Sequence, residues 1–349
     1  MRESFPHRVL LATGIAALVV LLLLFTWQAL TVLLLVFAGV VLSVFLHWLA
    51  ELFHGWLGVP HGLSLAMVFV AILVVGGLIG IVIVPLIVDQ ALLLQEQIPR
   101  SVAAIKDAIG RTPWGAELLD TATRPEEWLL KRFAETGEVM AQVAGIFSSA
   151  LNALLAGLFI LLIGVYLAAE PHTYTNGLLR LLPRPRRARA QEVMAELART
   201  LRWWLAGQTL SMLILGTLTT LSLWLLDVPL ALVLGLLTAL MTFIPNLGPI
   251  IAGIPTLLVA LTQGPMTALY VAILYVAIQA IEGNLITPVV HRNVVHLPPV
   301  LILSVQGILA TMIGFLGVLL AMPLVACGMV LVRMLYVEDV LGDSMDRPT

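Results

Sequence analysis

From Leu63 to Val88 the chain carries no charged side chain, and the same holds from Ala29 to Leu46. Each run is long enough for the roughly 20-residue crossing that a bilayer core of about 30 Å demands of a helix. A helix on the surface of a soluble domain must keep a polar face toward water, and these runs have none. The rest of the chain extends the pattern: 60% of the 349 residues are hydrophobic and 11% charged, where a soluble domain carries about 25% charged residues. Mean hydropathy is +1.06. A soluble fold of this composition would have almost nothing to place on its surface, so lipid is the solvent for most of the chain. The single cysteine, Cys327, has no partner for a disulfide and argues against a zinc site or a thiol relay.

The charged residues punctuate the apolar runs and suggest an order of parts. Residues 1–90 read as three transmembrane helices: Val9 to Phe25 behind Arg2 and Arg8, then Ala29 to Leu46 after a short Thr26-Trp27-Gln28 connection, then Leu63 to Val88. No small-residue cleavage site follows the first run, so it reads as a retained helix and not a signal. Residues 91–144 mix acidic and basic side chains with apolar ones at helical spacing, which predicts a small extracytoplasmic helical segment. Residues 145–170 form a fourth crossing. Residues 171–204 hold Arg180, Arg184, Arg186, Arg187 and Arg189, a basic loop leading into a helix on the membrane surface with Trp203 and Trp204 at headgroup depth. A C-terminal transport region, 205–337, and a polar tail, 338–349, complete the chain.

Cytoplasmic loops carry the Lys/Arg excess, which places the basic loop inside together with Arg2 and Arg8. Four crossings from an inside N-terminus end inside, so the two assignments agree. The 91–144 segment then lies outside and the C-terminus inside. An arginine cluster can also bind nucleic acid, but a loop facing anionic lipid explains it with no added partner.

The C-terminal region contains two interruptions. Pro245, Asn246, Gly248 and Pro249 break one apolar stretch, and Gly314 and Gly317 break another, with Pro323 in its second arm. Broken backbone inside a membrane exposes carbonyls and amides, which is tolerated only where protein or a water-lined cavity satisfies them. Each interruption is a re-entrant hairpin or a discontinuous span, and a pair of such segments points to the binding region of a transporter. The expected fold is all-α and polytopic, with about seven to eight transmembrane helices on length grounds, including these interrupted hairpins.

Chemistry-bearing residues are few. Glu282 follows apolar sequence, with Gln279 one turn before it and Gly283, Asn284, Thr287 and Pro288 after it. A carboxylate near membrane depth faces a cavity, a partner or an ion path; alternatively Glu282 pins a helix end at the interface, as the nearby His291 and Arg292 allow. Asn246 and Gln208 suit an uncharged hydroxylated solute, or serve as interhelical hydrogen bonds. Gly76 and Gly80 form a small-xxx-small pair suited to close helix packing. His47, His54 and His61 recur every seven residues, but Pro60 argues against one helix carrying all three, and the spacing is not that of a zinc site. They read as interfacial histidines, with pH sensing as the second reading. No nucleophile elbow, phosphate loop or HExxH occurs, so neither an enzyme nor a cofactor is expected.

The segments WWLAGQ at 203–208, IPNLGPIIAGIP at 244–255, IQAIEGNLITPVV at 278–290, LPPVLILSVQG from 297, and GFLGVLLAMPLVA at 314–326 occur in this order. Together they resemble the AI-2E family of bacterial transporters over nearly the whole chain. Glu170 stands where the family pattern has Asp, which keeps the charge. The resemblance implies a multi-pass protein of the bacterial inner membrane that assembles into homo-oligomers, specifically pentamers. It implies transport either of a small hydroxylated solute such as autoinducer-2 or of sodium or lithium in exchange for protons. A neutral polyol calls for amides and hydroxyls, as at Asn246, Gln208, Gln279 and Asn284; a cation antiporter calls for a carboxylate, as at Glu282. Pro245, Gly248, Pro249, Glu282, Asn284 and Pro288 match the family pattern. On this reading the two hairpins and the helix ending at Glu282 move against a scaffold of the first spans. A membrane scaffold whose outer segment recruits partners is the alternative from another class.

Overall fold

A computed structural model of the chain describes residues 5–78, 81, 139–245, 247–286 and 298–343; for 5–28, 139–153 and 285–286 it describes the backbone path alone. The described residues are helical throughout, joined by short turns. The elements are α1 (Phe5–Leu57), α2 (His61–Leu78), α3 (Val139–Ala169), α4 (Pro171–Arg180), α5 (Arg187–Leu225), α6 (Ala231–Thr242), α7 (Gly248–Gln263), α8 (Pro265–Ile281), α9 (Pro299–Ile313) and α10 (Phe315–Leu331). The fold is that of an all-α polytopic membrane protein, with five helices long and apolar enough to cross a bilayer, or six if a bent pair counts as one span.

Two expected breaks are absent. The helix runs without reversal through Thr26, Trp27 and Gln28, because α1 is one helix of 53 residues. None of those three residues is a helix breaker, and an apolar environment favours keeping every backbone hydrogen bond. One continuous helix crosses a bilayer at most once, so the count of four crossings no longer supports an inside N-terminus. The second absent break lies at residue 204. The expected surface helix and the fifth span are one helix, α5, of 39 residues, about 58 Å long at 1.5 Å per residue. Its arginine-rich start therefore projects past the bilayer core, while α4 turns 87° from α3 at Glu170 and Pro171. The tryptophan pair divides: Trp203 is exposed, whereas Trp204 is fully buried and stacks edge-on against Phe243 at 5.5 Å. The expected 91–144 segment lies almost wholly outside the described residues, and 139–144 already belongs to α3.

The C-terminal region consists of two hairpins entering from opposite ends. The α6–α7 pair is anchored at its open end by the Gln263 amide, which donates to the Asp227 carbonyl at 3.0 Å. Its tip, at Phe243, reaches the level of Trp204. At 12 and 16 residues its arms are about 18 and 24 Å long, short of a 30 Å crossing. The α9–α10 pair opens at the other end, where Arg333 meets Glu196 of α5 at 3.1 Å. It folds back at Gly314, whose φ of 72° is the left-handed region that glycine enters without a Cβ penalty. The expectation of interrupted hairpins is thus realised as antiparallel arms.

Packing sorts the helices into two groups. Helix α6 lies against α5 at a glycine crossing: a Cβ on Gly216 would sit 2.6 Å from Ala239 Cβ, and one on Gly235 would land on Thr220 Oγ1 and 2.8 Å from the Gly216 carbonyl. Helices α7 and α8 complete this body through Leu223, Val259, Val271 and Tyr275. The second group centres on α1, which packs against α3, with Gly39 and Gly164 in close contact with Ile163 and Leu42, and against α9–α10 through Leu34, Ala38, Leu309 and Leu320; α10 joins the two groups, because it also packs on α5 through Cys327 with Trp204 and Leu201 and through Val330 and Met334 with Val193. Gly76 has open space around it, so no close crossing forms there among the described residues; Gly80 lies outside them. The Gly235→Ala substitution is expected to lower stability in detergent by about 1–3 kcal/mol, the cost of overpacking. Gly77→Ala, where a Cβ meets nothing within 4 Å, is expected to be neutral or slightly stabilising, and thermal unfolding of the two purified variants checks the contrast.

Candidate functional site

Helix α5 presents Gln208, Ser211, Leu215 and Thr219 as a buried stripe at three- and four-residue spacing. Ser211 and Thr219 put hydroxyls in this stripe, and Gln208, 4% exposed, has only the protein interior to bond to. Its Nε2 donates to the Thr242 carbonyl at 2.5 Å, the last residue of α6. That carbonyl is one of those a helix end leaves without an internal partner. On the other side of the tip, Gln306 of α9 donates from Nε2 to the Pro245 carbonyl at 3.4 Å. Gln306 is 2% exposed, and its own Oε1 is buried without a partner among the described residues. Two amides from two helices thus hold the interruption. Within the tip, the Leu247 N–H donates to the Pro245 carbonyl and the Gly248 N–H to the Ile244 carbonyl. A Cβ at Gly248 would land on the Met241 carbonyl, so glycine is needed for the arms to approach. Pro249 is buried in the first turn of α7, where a missing N–H is no loss.

Deeper in the hairpin, the Tyr275 hydroxyl of α8 lies 2.8 Å from Thr238 Oγ1 on α6 and 3.0 Å from Thr256 Oγ1 on α7. All three are buried. Gly253 opens room for the ring, its added Cβ falling 3.3 Å from Tyr275 Cε1. The polar interior therefore runs from Gln208 and Gln306 at the tip to Thr238, Thr256 and Tyr275 between the arms.

Glu282 ends α8. Helix α8 runs antiparallel to α5, with Ile278 against Leu215, and Glu282 stands one turn further along. There the helix widens into a π turn over Glu282–Ile286 that touches α5; such single-turn π segments recur at functional sites. Glu282 is half-buried, and its Oε2 is enclosed with no partner among the described residues. Gln279 lies within hydrogen-bonding reach of the carboxylate. Asn284 is exposed and donates to the Ala280 carbonyl at 2.8 Å, within its own helix. Asn246, Thr287 and Pro288 lie outside the described residues. Gly314 and Gly317 shape the other hairpin's turn, where a Cβ on Gly317 would land on the Leu309 carbonyl. Gln208, Pro245 and Gly248 thus meet at the tip, while Glu282 stands at the end of α8 with Gln279 beside it, Asn284 is on the surface and Gly314 is remote.

The profile of the AI-2E family transporters matches residues 15–336. The chain belongs to the AI-2E family of transporters. Among its relatives, provisionally named transport proteins YueF and YrrI of Bacillus subtilis strain 168 share 23% identity over 77% of this chain and 75% of theirs, and 25% over 82% and 83%. The provisionally named permease PerM of Escherichia coli K12 is 26% identical over 74% of each chain. In this AI-2E protein, sequence reasoning singled out Gln208 but passed over Gln306, Tyr275, Thr238 and Thr256. Gln306 was legible as an amide inside an apolar helix, a residue type that must find a partner in a membrane. The threonines carried no such signal, since a threonine in a membrane helix commonly bonds its own helix, as Thr242 Oγ1 does to the Thr238 carbonyl at 2.7 Å.

The three histidines share one corner although the helix does not continue. Helix α1 stops at Leu57 and α2 starts at His61, yet the His61 ring lies 4.8 Å from His47 and 6.5 Å from His54. Among the described residues no group of His, Cys, Asp or Glu has metal-binding geometry.

Gln208→Leu leaves the buried Thr242 carbonyl without its donor and is expected to cost about 1–3 kcal/mol. Gln306→Leu is expected to cost less, because its hydrogen bond is longer. Thermal unfolding in one detergent ranks the two; an equal or reversed order would contradict the unequal clamp.

Proposed function

We propose that this AI-2E protein moves a small hydroxylated solute, such as autoinducer-2, between the hairpin tip at 243–247 and α9, with Gln208, Gln306, Thr238, Thr256 and Tyr275 supplying the hydrogen-bonding path. The observation that carries this reading is the pair of opposed hairpins meeting at a tip held by buried amides from two different helices. A path needs polar groups inside an apolar protein, and these are the groups available at its interruption. Amide and hydroxyl groups exchange hydrogen bonds with a neutral polyol without the desolvation cost of a charge.

Alternating access is assigned to the hairpin tip. Helix α5 holds the tip tightly through Gln208, whereas α9–α10, which packs on both α1 and α5, reaches the tip through the longer Gln306 bond. The boundary that opens is therefore the contact between the tip and α9, where the two hairpins separate during the cycle. In a Cys327→Ser chain carrying Pro245→Cys and Gln306→Cys, oxidative crosslinking is expected to stop the flux that the same reduced chain retains, and reduction to restore it; equal flux before and after complete crosslinking would rule out this boundary.

The basic end, at Arg180 to Arg189, is assigned to the cytoplasm of a bacterial inner membrane by its arginines. The C-terminal end goes with it, because Arg189 bonds Glu338 at 2.7 Å. Family resemblance extends the reading to a homo-oligomer.

Sodium or lithium exchange for protons is the second reading, favoured by Oε2 of Glu282, which is enclosed without a partner among the described residues. Proteoliposomes holding the purified protein separate the two. Flux of autoinducer-2 that survives Glu282→Gln, with no sodium-driven proton movement, is expected for a solute exporter. Sodium-driven proton movement abolished by Glu282→Gln would replace that reading with antiport.

A further inference from the structure

Helix α3 carries no charged residue and ends at Ala169. One residue later α4 begins, and it runs 87° away from α3. A crossing helix tilts about 20° from the bilayer normal on average, so a helix set at a right angle to its end lies close to the membrane plane. Along α4 and its cap, Tyr174, Leu178 and Leu181 recur at helical spacing on one face, and Leu178 is 58% and Leu181 82% exposed. Thr173, Asn176 and Arg180 occupy a separate face. Helix α4 is therefore amphipathic, with its apolar stripe uncovered among the described residues.

The turn that follows has charge of one sign. No Asp or Glu occurs from Pro171 to Gln191, while Arg180, Arg184, Arg186 and Arg187 fall within eight residues. Arg187 holds the turn together: its Nε donates to the Leu182 carbonyl at 3.1 Å and its Nη2 to the Arg180 carbonyl at 3.3 Å. The Arg186 N–H donates to the Pro183 carbonyl at 3.0 Å. Arg180, Arg184 and Arg186 are exposed and make no side-chain hydrogen bond or ion pair among the described residues. Elsewhere at this end Arg189, Arg199, Arg202 and Arg333 are each paired with a carboxylate. A folded turn thus presents three guanidiniums with no counter-charge, beside an apolar stripe at the end of a spanning helix.

We propose that α4 lies in the headgroup layer as a surface helix, with Tyr174, Leu178 and Leu181 toward the acyl chains, and that Arg180, Arg184 and Arg186 bind anionic phospholipids of the phosphatidylglycerol class. The apolar stripe accepts any lipid, because acyl chains are as apolar as leucine, so the guanidiniums make the selection. Each donates charge-assisted hydrogen bonds to a phosphate, and a basic segment at the surface is drawn to anionic lipid. In phosphatidylcholine the ammonium cancels the phosphate charge and repels the same arginines. An amphipathic helix with basic residues beside its apolar face fits a bilayer surface, whereas a nucleic acid would leave the leucines uncovered. The surface helix expected at 186–204 is on this reading α4.

Two measurements on the full-length protein test the assignment. In a Cys327→Ser chain, nitroxide labels at Leu181→Cys and at Thr173→Cys are compared in phosphatidylcholine vesicles that contain phosphatidylglycerol. The label at 181 is expected to be reached by oxygen, which partitions into lipid, and shielded from a water-soluble nickel chelate; the label at 173 is expected to show the reverse. Native mass spectrometry of the delipidated protein, titrated with phosphatidylglycerol or phosphatidylcholine, reads the headgroup. Phosphatidylglycerol is expected to bind about tenfold more tightly. Arg180→Gln, Arg184→Gln and Arg186→Gln made together are expected to remove most of that preference, and the corresponding lysine substitutions to keep it. Equal access of nickel to both labels, or an undiminished preference in the glutamine variant, would overturn the assignment. So would binding of a single-stranded RNA oligonucleotide through the same three arginines with no preference between the lipids, which would give the patch to nucleic acid.

Discussion

Backbone polar groups inside a membrane must find partners within the protein, and the rest of this architecture depends on how the interruption at 243–247 meets that requirement. Helix α6 stops at Thr242; the Phe243 and Ile244 amides satisfy the Leu240 and Met241 carbonyls, and the Thr242 carbonyl is left for another helix. Water is scarce at that depth, so the tip persists only because other helices bring donors to it. Gln208 supplies one from α5 and Gln306 one from α9. Each amide has to be held at the correct height, which fixes the register of α5 against α6 and of α9 against the tip. The same two bonds explain why an otherwise apolar interior keeps costly polar side chains.

Register is enforced by close contacts between small residues. Gly216 and Gly235 let α5 and α6 approach until backbone meets side chain, and van der Waals contact replaces the hydrophobic effect as the attraction between helices in lipid. That crossing makes α5 and α6 one body. Gly39 and Gly164 act in the same way between α1 and α3, and α9–α10 joins them through Leu309 and Leu320. The α9–α10 hairpin also packs on α5, Trp204 and Leu201 lying with Cys327 and Val193 with Val330 and Met334, so the amide clamp adds to a seam that apolar side chains and ion pairs already close.

At the basic end the charges form a network and not isolated pairs. Arg189 bonds Glu192, Glu338 and Asp339 and also donates to the Met334 carbonyl at 2.8 Å, while Arg202 reaches Glu51 on α1 at 2.6 Å. Single exposed ion pairs contribute about 0–1 kcal/mol, but a network that also caps carbonyls of a π turn fixes where the C-terminal helix ends. This joins the start of α5, the corner after α1 and the end of α10 on one face. Among these residues the arginines stood out in the sequence as a mark of sidedness, but the partners Glu338, Asp339 and Glu51, more than a hundred residues away, did not.

The sequence alone determined the solvent, the helical class, the two interruptions and the family, because each is a local property: charge-free runs, proline and glycine positions, and motifs read in order. It also marked Gln208 and Glu282, since an amide or a carboxylate in an apolar run is conspicuous without knowledge of its neighbours. It misplaced the turns at residues 26–28 and 204, where hydropathy dips but nothing prevents a helix from continuing, and backbone hydrogen bonding in lipid favours continuation. Only the tertiary structure decided that the hairpins enter from opposite ends, that Gln306 faces the tip, and that Trp204 belongs to the core while Trp203 does not. Those facts depend on which helix lies against which. That pairing is set by contacts such as Gly216 with Gly235 and Leu34 with Leu309, whose members are distant in the chain and ordinary in composition.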